Sequence, residues 1–211
     1  MPHRKLLLYP RAARLHFLPV SLCGVAVGAA YAARAHALEP WRVALAGLLI
    51  ASTHAAANLI NDYGDSRSGA DWIALERNSL HGGSKLIQRG VLGERWYRRA
   101  AFCTYLFAAL LLIIFAFAIG PHDMLPIGLL IFLWSHQYTM PPLHLAYRGL
   151  GELSILVLFG PATVCGTYVL VTGAQWNVPA LLLGCVCGVW AALVLLCNEC
   201  ADRETDRVAH K

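Results

Sequence analysis

Six long apolar runs separated by polar stretches dominate the sequence. They cover residues 15–33, 43–60, 100–119, 124–140, 153–171 and 178–197. Five of the runs are close to the ~20 residues that an α-helix needs to cross a bilayer, and the run 124–140 is shorter. Because backbone polar groups must be satisfied internally in lipid, each run is predicted to be a helix. The pattern predicts an all-α, multi-spanning membrane helical bundle.

The composition agrees with a membrane protein and favours one domain over 1–211. Hydrophobic residues make up 58% of the chain and charged residues only 14%, a balance that is unusual for a soluble domain. The net charge of +5 fits a membrane surface or an anionic substrate, and nucleic acid is not expected because no basic helix with interleaved aromatic residues occurs. The seven cysteines are odd in number and mostly lie in apolar runs, so they are interpreted as small apolar residues.

The distribution of lysine and arginine predicts the orientation in the membrane. With the amino terminus inside, all but two of the 17 basic residues fall in inner segments, and only Arg34 and Arg42 lie outside. Such a bias sets topology. We therefore expect an integral protein of the cytoplasmic (inner) membrane, with both termini and the segments 61–99 and 141–152 on the cytoplasmic side. The first run also resembles a signal peptide, but its length favours a retained span.

A cluster of amide and carboxylate residues follows the second run directly. If that helix continues, Asn58, Asp62 and Asp65 lie at i, i+4 and i+7 on one face, with Asn61 beside them. Carboxylates on one face repel each other unless a cation lies between them, and oxygen ligands of this kind suit Mg²⁺. The alternative is a solvated helix end that is broken at Gly64.

A second cluster follows the sixth run and repeats the spacing of the first. Asn198, Asp202 and Asp206 lie at i, i+4 and i+8, again near one helix face. Both clusters are predicted to end membrane helices on the cytoplasmic side, where carboxylates are costly and usually functional. Together they predict a site for Mg²⁺ and a bridging diphosphate, in which Asp62 and Asp202 share one substrate.

Polar residues between the clusters are candidates for binding that diphosphate. Lys85 belongs to a glycine turn, and Tyr138 and Arg148 belong to the loop between the fourth and fifth runs. An ammonium and a guanidinium can bind phosphate oxygens, although a plain loop and a membrane-anchoring arginine remain alternatives. Three histidines, His16, His54 and His136, lie in or beside spans and are interpreted as helix-contact residues.

Three stretches of the sequence resemble a known protein family. They are Asn58-Leu-Ile-Asn61-Asp62-Tyr-Gly-Asp65, the stretch from Gly82 through Lys85 to Gly90, and Leu145-Ala-Tyr-Arg148-Gly-Leu-Gly-Glu152. With the second cluster they resemble the UbiA superfamily of intramembrane prenyltransferases, most of all its dihydroxynaphthoate polyprenyltransferases. Members of that superfamily have about nine membrane helices, each of ~20 residues, so this chain with six resembles a member truncated at its C-terminus.

The resemblance implies a chemistry. Asp62, Asp65, Asp202 and Asp206 would bind Mg²⁺, and Asn58, Asn61 and Asn198 would orient ligands or meet the diphosphate. Three further residues would contact the diphosphate, namely Lys85, Arg148 and Tyr138. A polyprenyl group would pass from a polyprenyl diphosphate to an aromatic acceptor such as dihydroxynaphthoate, in menaquinone biosynthesis, with the tail held among the apolar helices.

Three alternatives remain at this stage. One is another UbiA-type aromatic prenyltransferase, with a quinone, chlorophyll or haem precursor as acceptor. Another is a non-catalytic truncated membrane protein. The third is a divalent-cation transporter, whose carboxylates should lie near the middle of the membrane rather than at helix ends.

The polar segment 61–99 is predicted to be a partly helical cap over the site. It contains apolar residues that a free loop does not need, namely Trp72, Ile73, Leu75, Leu86, Ile87 and Trp96. Closure of this cap over a substrate would keep water away from a reactive cation.

Overall fold

A computed structural model describes residues 6–34, 38–73, 83–119 and 124–209, without the side chains of residues 73, 119 and 201–209. Throughout these residues the regular structure is helical. The helices are α1 (Tyr9–Ala12), α2 (Leu18–Ala32), α3 (Pro40–Ser68), α4 (Ala70–Ile73), α5 (Glu94–Ile119), α6 (Met124–Gln137), α7 (Gly151–Val157), α8 (Thr163–Thr172) and α9 (Val178–Ala209). Short 3₁₀ turns occupy Leu15–Phe17 and Leu145–Arg148, and a π turn, Leu158–Ala162, joins α7 to α8. The prediction of an all-α bundle is confirmed.

Five helical stretches among the described residues are long and apolar enough to cross a membrane. They are Leu15–Ala32, Pro40–Ser68, Glu94–Ala118, Gly151–Thr172 and Val178–Cys200. Helix α6 is apolar but has only 14 residues. This agrees with the sequence pattern of five full-length runs and one shorter run.

Helix α3 extends well beyond the second apolar run and carries the first acidic cluster. It begins with Pro40, continues through Gly64 and ends at Ser68. Gly69, with a φ of 89°, supplies the left-handed residue that commonly ends a helix. Gly64 does not break the helix, and its missing side chain allows a close approach, since a Cβ there would lie 3.1 Å from the Cβ of Thr139. The predicted helical spacing of Asn58, Asp62 and Asp65 is therefore present.

Two apolar clusters hold the bundle together. One lies among α3, α5, α6 and α8 and includes Leu49, Leu112, Phe115 and Tyr168. The other includes Ala12 and Ala13 of the N-terminal segment, which pack against α3, α5 and the turn after residue 83. Because this second cluster draws on three distant parts of the chain, it fixes the N-terminal segment close to the acidic cluster.

Small residues let α9 pack closely on the π turn. A Cβ on Gly184 would lie 2.7 Å from the Cα of Pro161, and a Cβ on Gly160 would lie 2.7 Å from the Cα of Gly188. The spacing Gly184-x-x-x-Gly188 is the arrangement by which membrane helices approach each other closely. Further along, α9 packs against α4, so the helix that carries the second acidic motif meets the end of the first.

The expected cap is confirmed in part for the described residues. Leu86 and Ile87 are buried, and Trp96 packs beside them in the second apolar cluster. Trp72 differs from the expectation because half of its surface is exposed, while its indole N–H donates to the carbonyl of Ser66. The side chains of Ile73 and Leu75, and the histidine–glycine part of the turn at 81–82, lie outside the described residues. Closure over a substrate remains a prediction.

Candidate active site

Three carboxylates are buried together at one end of the bundle. Asp62, Asp65 and Asp71 are 1%, 4% and 5% exposed. Asp62 and Asp65 come from the last two turns of α3, and Asp71 comes from α4. Buried carboxylates require hydrogen bonds and cations to balance their loss of hydration, and the contacts of these three residues define the site.

Arg14 supplies a cation to the first of these carboxylates. Its guanidinium is ion-paired with Asp62 and donates to Oδ1 of Asn61 at 2.9 Å. The backbone N–H of Ser84 donates to the other oxygen of Asp62 at 3.0 Å. Burial opposes the charge of Arg14, but the surrounding carboxylates, Asp62 above all, raise its pKa further above the usual range. Arg14 is thus held as a permanent cation inside the acidic cluster.

Asn58 ties the N-terminal segment to α3. Its side-chain amide donates to the carbonyl oxygen of Ala13 at 3.0 Å. Arg14, the next residue, has a φ of 50°, a left-handed conformation that a non-glycine residue rarely adopts. This turn directs the guanidinium toward Asp62. In this arrangement Asn58 positions Arg14, whereas the sequence predicted a direct role for Asn58 toward ligands.

Asp65 is contacted from the loop that precedes α7. The hydroxyl of Tyr147 donates to Oδ1 of Asp65 at 2.7 Å and also lies 2.7 Å from the hydroxyl of Ser68. The loop expected on the cytoplasmic side therefore lies at the same end of the bundle as the first acidic cluster. Which compartment faces that end remains a prediction.

Asp71 forms a buried ion pair with Lys85. The Lys85 ammonium lies 2.6 Å from Oδ1 of Asp71, and Gln88 donates to Oδ2 at 3.4 Å. Burial raises the pKa of the Asp71 carboxyl; Lys85 opposes this, and Asp65 and Asp62 add to it. Gly83 has no room for a side chain here, since a Cβ would lie 2.5 Å from Asp71 and 3.0 Å from Asp62. The glycine turn thus closes directly over the carboxylates.

The remaining predicted residues are less closely gathered. Arg148 is exposed and donates to the carbonyl oxygen of Pro142 at 3.3 Å. Tyr138 lies beside α9, since a Cβ on Gly151 would be 3.5 Å from its hydroxyl and 3.7 Å from Oε1 of Glu199. Asn198 is half-buried on α9. The side chains of Asp202 and Asp206 lie outside the described residues, although the helix that carries them packs against α4.

The donor set fits a hard cation. All of the ligand atoms that Asp62, Asp65 and Asp71 offer are carboxylate oxygens, the atoms that Mg²⁺ prefers. Within the described residues no three histidine, cysteine or acidic side chains are arranged to hold a metal ion. This is consistent with the contacts above, because Asp62 and Asp71 are turned to Arg14 and Lys85.

The sequence interpretation missed three residues of the site. Arg14 was counted only for orientation, Tyr147 was not singled out, and Asp71 was not among the residues predicted to bind the metal ion or the diphosphate. A buried helix end with three carboxylates implies partners nearby. The three buried carboxylates indicate that hydrogen-bond donors or cations lie nearby, but they do not indicate which basic residue or tyrosine supplies each contact.

A large apolar cavity lies on the membrane side of the acidic cluster. Its volume is about 1460 Å³, and most of its wall is apolar. It lies between α3, α6 and the helical stretch 151–172, and residues such as Ala57, Trp134, Leu158 and Phe159 line it. A long, flexible apolar molecule could be accommodated there with its polar end directed toward the acidic cluster.

Comparison with known proteins identifies the family. The model of the UbiA prenyltransferase family matches residues 21–211. The chain belongs to this family. Members of the UbiA family generally use a divalent metal ion. No solved structure matches the chain.

Several curated relatives are similar over most of this chain. The 1,4-dihydroxy-2-naphthoate octaprenyltransferase of Escherichia coli is 30% identical over 90% of the chain and 61% of the relative. The protein of the same name from Mycobacterium tuberculosis is 29% identical over 94% of the chain and 65% of the relative. The 2-carboxy-1,4-naphthoquinone phytyltransferase of Synechocystis is 36% identical over 40% of the chain and 27% of the relative. The chain thus spans less than two thirds of the length of these relatives.

Proposed function

We propose that the protein containing this chain transfers a polyprenyl group from a polyprenyl diphosphate to an aromatic acceptor, with dihydroxynaphthoate as that acceptor. The observation that carries the proposal is the burial of Asp62, Asp65 and Asp71 near one end of a cavity of about 1460 Å³ with apolar walls, whose lining along α3 reaches Ala57, five residues before Asp62. A prenyl diphosphate has this same division into an anionic head and an apolar tail. The names of the naphthoate-prenylating relatives support the choice of acceptor.

Asp62 and Asp65, with Asp202 and Asp206 of the second motif, are the residues that would hold Mg²⁺. Bound Mg²⁺ would neutralise the diphosphate as it leaves, which is the difficult part of breaking an allylic C–O bond. For Asp62 to contribute, the ion must share this carboxylate with Arg14 or displace Arg14 from it. Lys85 and Arg148, with Tyr138, Asn61 and Asn198, are proposed to bind or orient the diphosphate.

The proposed reaction then transfers the prenyl group to the aromatic ring inside the cavity. The C–O bond between the prenyl group and the diphosphate breaks, and a carbon of the electron-rich ring forms the new bond to the prenyl carbon. The carboxylate on that ring carbon leaves as carbon dioxide, which returns the electron pair to the ring. The apolar walls of the cavity and the turn at Gly83 keep water from competing with the ring. The lipid bilayer supplies the long donor laterally.

The test is prenyl transfer by the complete protein in lipid nanodiscs with Mg²⁺. Asp62→Asn and Asp202→Asn should each lower turnover by about a hundredfold or more, because each removes charge that stabilises the leaving group. The double variant should be little worse than either single variant, since both residues act on one diphosphate. Glu39→Gln is the matched control, because Glu39 precedes the opposite end of the same helix α3.

Two results would contradict the proposal. Near-normal turnover by Asp202→Asn at saturating Mg²⁺ would separate the second motif from the site. Prenylation of a different aromatic compound, with none of dihydroxynaphthoate, would keep the family chemistry but change the acceptor. The phytyltransferase relative shows by its name that the prenyl group can differ within the family, so donors of several lengths belong in the assay.

A further inference from the structure

A polar pair interrupts the apolar wall of the large cavity. Ser21 on α2 and His54 on α3 both line it, and the Ser21 hydroxyl lies 2.6 Å from Nδ1 of His54. Among the described residues, no hydrogen bond is made to the other ring nitrogen, Nε2. The imidazole makes a T-shaped contact with the ring of Phe159, with ring centroids 4.8 Å apart and planes at 87°. The pair therefore offers one polar atom beside an aromatic wall.

The position of His54 along α3 is informative. His54, Asn58 and Asp62 lie at i, i+4 and i+8, so they share one face of the helix. At a rise of 1.5 Å per residue, His54 is about 12 Å from Asp62 along the helix axis. A diphosphate held near Asp62 covers part of that distance. The carbon that joins the diphosphate to the tail would then lie near His54, where the aromatic acceptor must approach.

We propose that His54, oriented by Ser21, binds a hydroxyl or carboxylate oxygen of the aromatic acceptor through Nε2 and so selects acceptors that carry such a group. The inference rests on the proposed function. An apolar prenyl tail cannot form a hydrogen bond with a polar atom in this wall, whereas a flat ring with a hydroxyl group can contact both the Nε2 atom of His54 and the aromatic ring of Phe159. In either tautomer Nε2 is useful, since it donates to an oxygen in one and accepts from a hydroxyl in the other.

Equilibrium binding to this chain in nanodiscs tests the inference without turnover. The two probes are hydroxynaphthoate and unsubstituted naphthalene, which share the ring but not the polar groups. His54→Leu should weaken hydroxynaphthoate binding about tenfold, the effect of one lost hydrogen bond, and leave naphthalene binding within about twofold. Ser21→Ala should weaken hydroxynaphthoate by a smaller factor, because it removes only the orientation of the ring.

Thr53→Val is the matched control. Thr53 is adjacent to His54 and lines the same cavity, but its hydroxyl donates to the carbonyl of Leu49 within its own helix. It should bind both probes as the unchanged chain does. Equal hydroxynaphthoate binding by His54→Leu and the unchanged chain would overturn the inference, as would an absence of binding to the unchanged chain. If His54→Leu fails to fold, the loss measured with Ser21→Ala decides: no selective weakening overturns the inference.

A separate measurement keeps the two proposals apart. Binding of geranylgeranyl diphosphate with Mn²⁺ reports on the diphosphate site, which His54→Leu should leave within about twofold. A chain that binds hydroxynaphthoate through His54 but never binds the diphosphate would support the acceptor site and contradict the proposed function. If the chain binds the diphosphate but its binding of hydroxynaphthoate does not depend on His54, the proposed function is supported and the acceptor site is contradicted.

Discussion

The guanidinium of Arg14 is ion-paired with the carboxylate of Asp62, which it reaches from a segment that precedes the first membrane helix. The protein itself thus supplies a cation, the Arg14 guanidinium, to this carboxylate of the first acidic motif. A divalent ion that used Asp62 would have to share it with Arg14 or displace it. The occupancy of the site is therefore a competition between an internal cation and an external one.

Arg14→Gln should make the fold depend on divalent metal. Without metal the variant leaves the buried Asp62 carboxylate without its cation, which costs on the order of 3–5 kcal/mol and lowers the melting temperature. Added Mg²⁺ should raise the melting temperature more in the variant than in the unchanged chain. Arg11→Gln is the control, since Arg11 is exposed in the same segment. Equal Mg²⁺ responses in the two variants would contradict competition at Asp62.

The Asp71–Lys85 pair should behave as one unit in unfolding measurements. Asp71→Asn and Lys85→Met should each lower the melting temperature, because each leaves a buried partner uncompensated. The double variant should lose less than the two single losses added together. Arg95→Met provides the baseline for an exposed cation in the same region. Strictly additive losses would show that the two side chains do not stabilise each other.

Gly188→Ala should separate α9 from α7 and the π turn. A Cβ on this glycine would collide with the carbonyl group of Leu156, a backbone atom that cannot move aside as a side chain can. We expect a lower melting temperature and weaker binding of any ligand that needs both acidic motifs. Gly47→Ala, whose Cβ would lie 3.9 Å from the nearest atom, should be neutral or slightly stabilising through its better helix propensity. Equal behaviour of the two variants would argue against close packing at Gly188.

Gly166→Leu should shorten the cavity for the prenyl tail. Gly166 lines the cavity, and nothing lies within 4 Å of the position of its Cβ, so the new side chain has room without disturbing the fold. Binding of long prenyl diphosphates should weaken more than binding of geranyl diphosphate. Competition binding against donors of increasing length measures the change. An equal effect on all lengths would place the tail elsewhere.

The helical bundle and the first acidic motif were predictable from local patterns. Apolar runs of membrane length become helices because lipid leaves no other way to satisfy the backbone. The spacing of Asn58, Asp62 and Asp65 needs only that α3 continue past Gly64. Gly64 could have been either a helix breaker or a site of close approach, and the contact with Thr139 decides between them.

The partners of the carboxylates were not predictable in the same way. Arg14 lies 48 residues from Asp62, and Tyr147 lies 82 residues from Asp65. Several basic residues precede the first span, and a rule about charge and topology treats them alike. Only the packing of Ala12 and Ala13 beneath α3 selects Arg14, and packing of that kind depends on the whole fold.

The N-terminal contacts also impose an order on biosynthesis. Ala13 and Arg14 leave the ribosome well before their partners Asn58 and Asp62. The hydroxyl of Tyr9 forms a hydrogen bond with the hydroxyl of Thr104, which is translated 95 residues later. Contacts between such distant parts of a chain form late, because the intervening loop must first close. The contact between Tyr9 and Thr104 can therefore form only after α5 has been synthesised. The segment that carries Arg14 is thus fixed by both α3 and α5, and it reaches its full set of contacts only when both helices are in place.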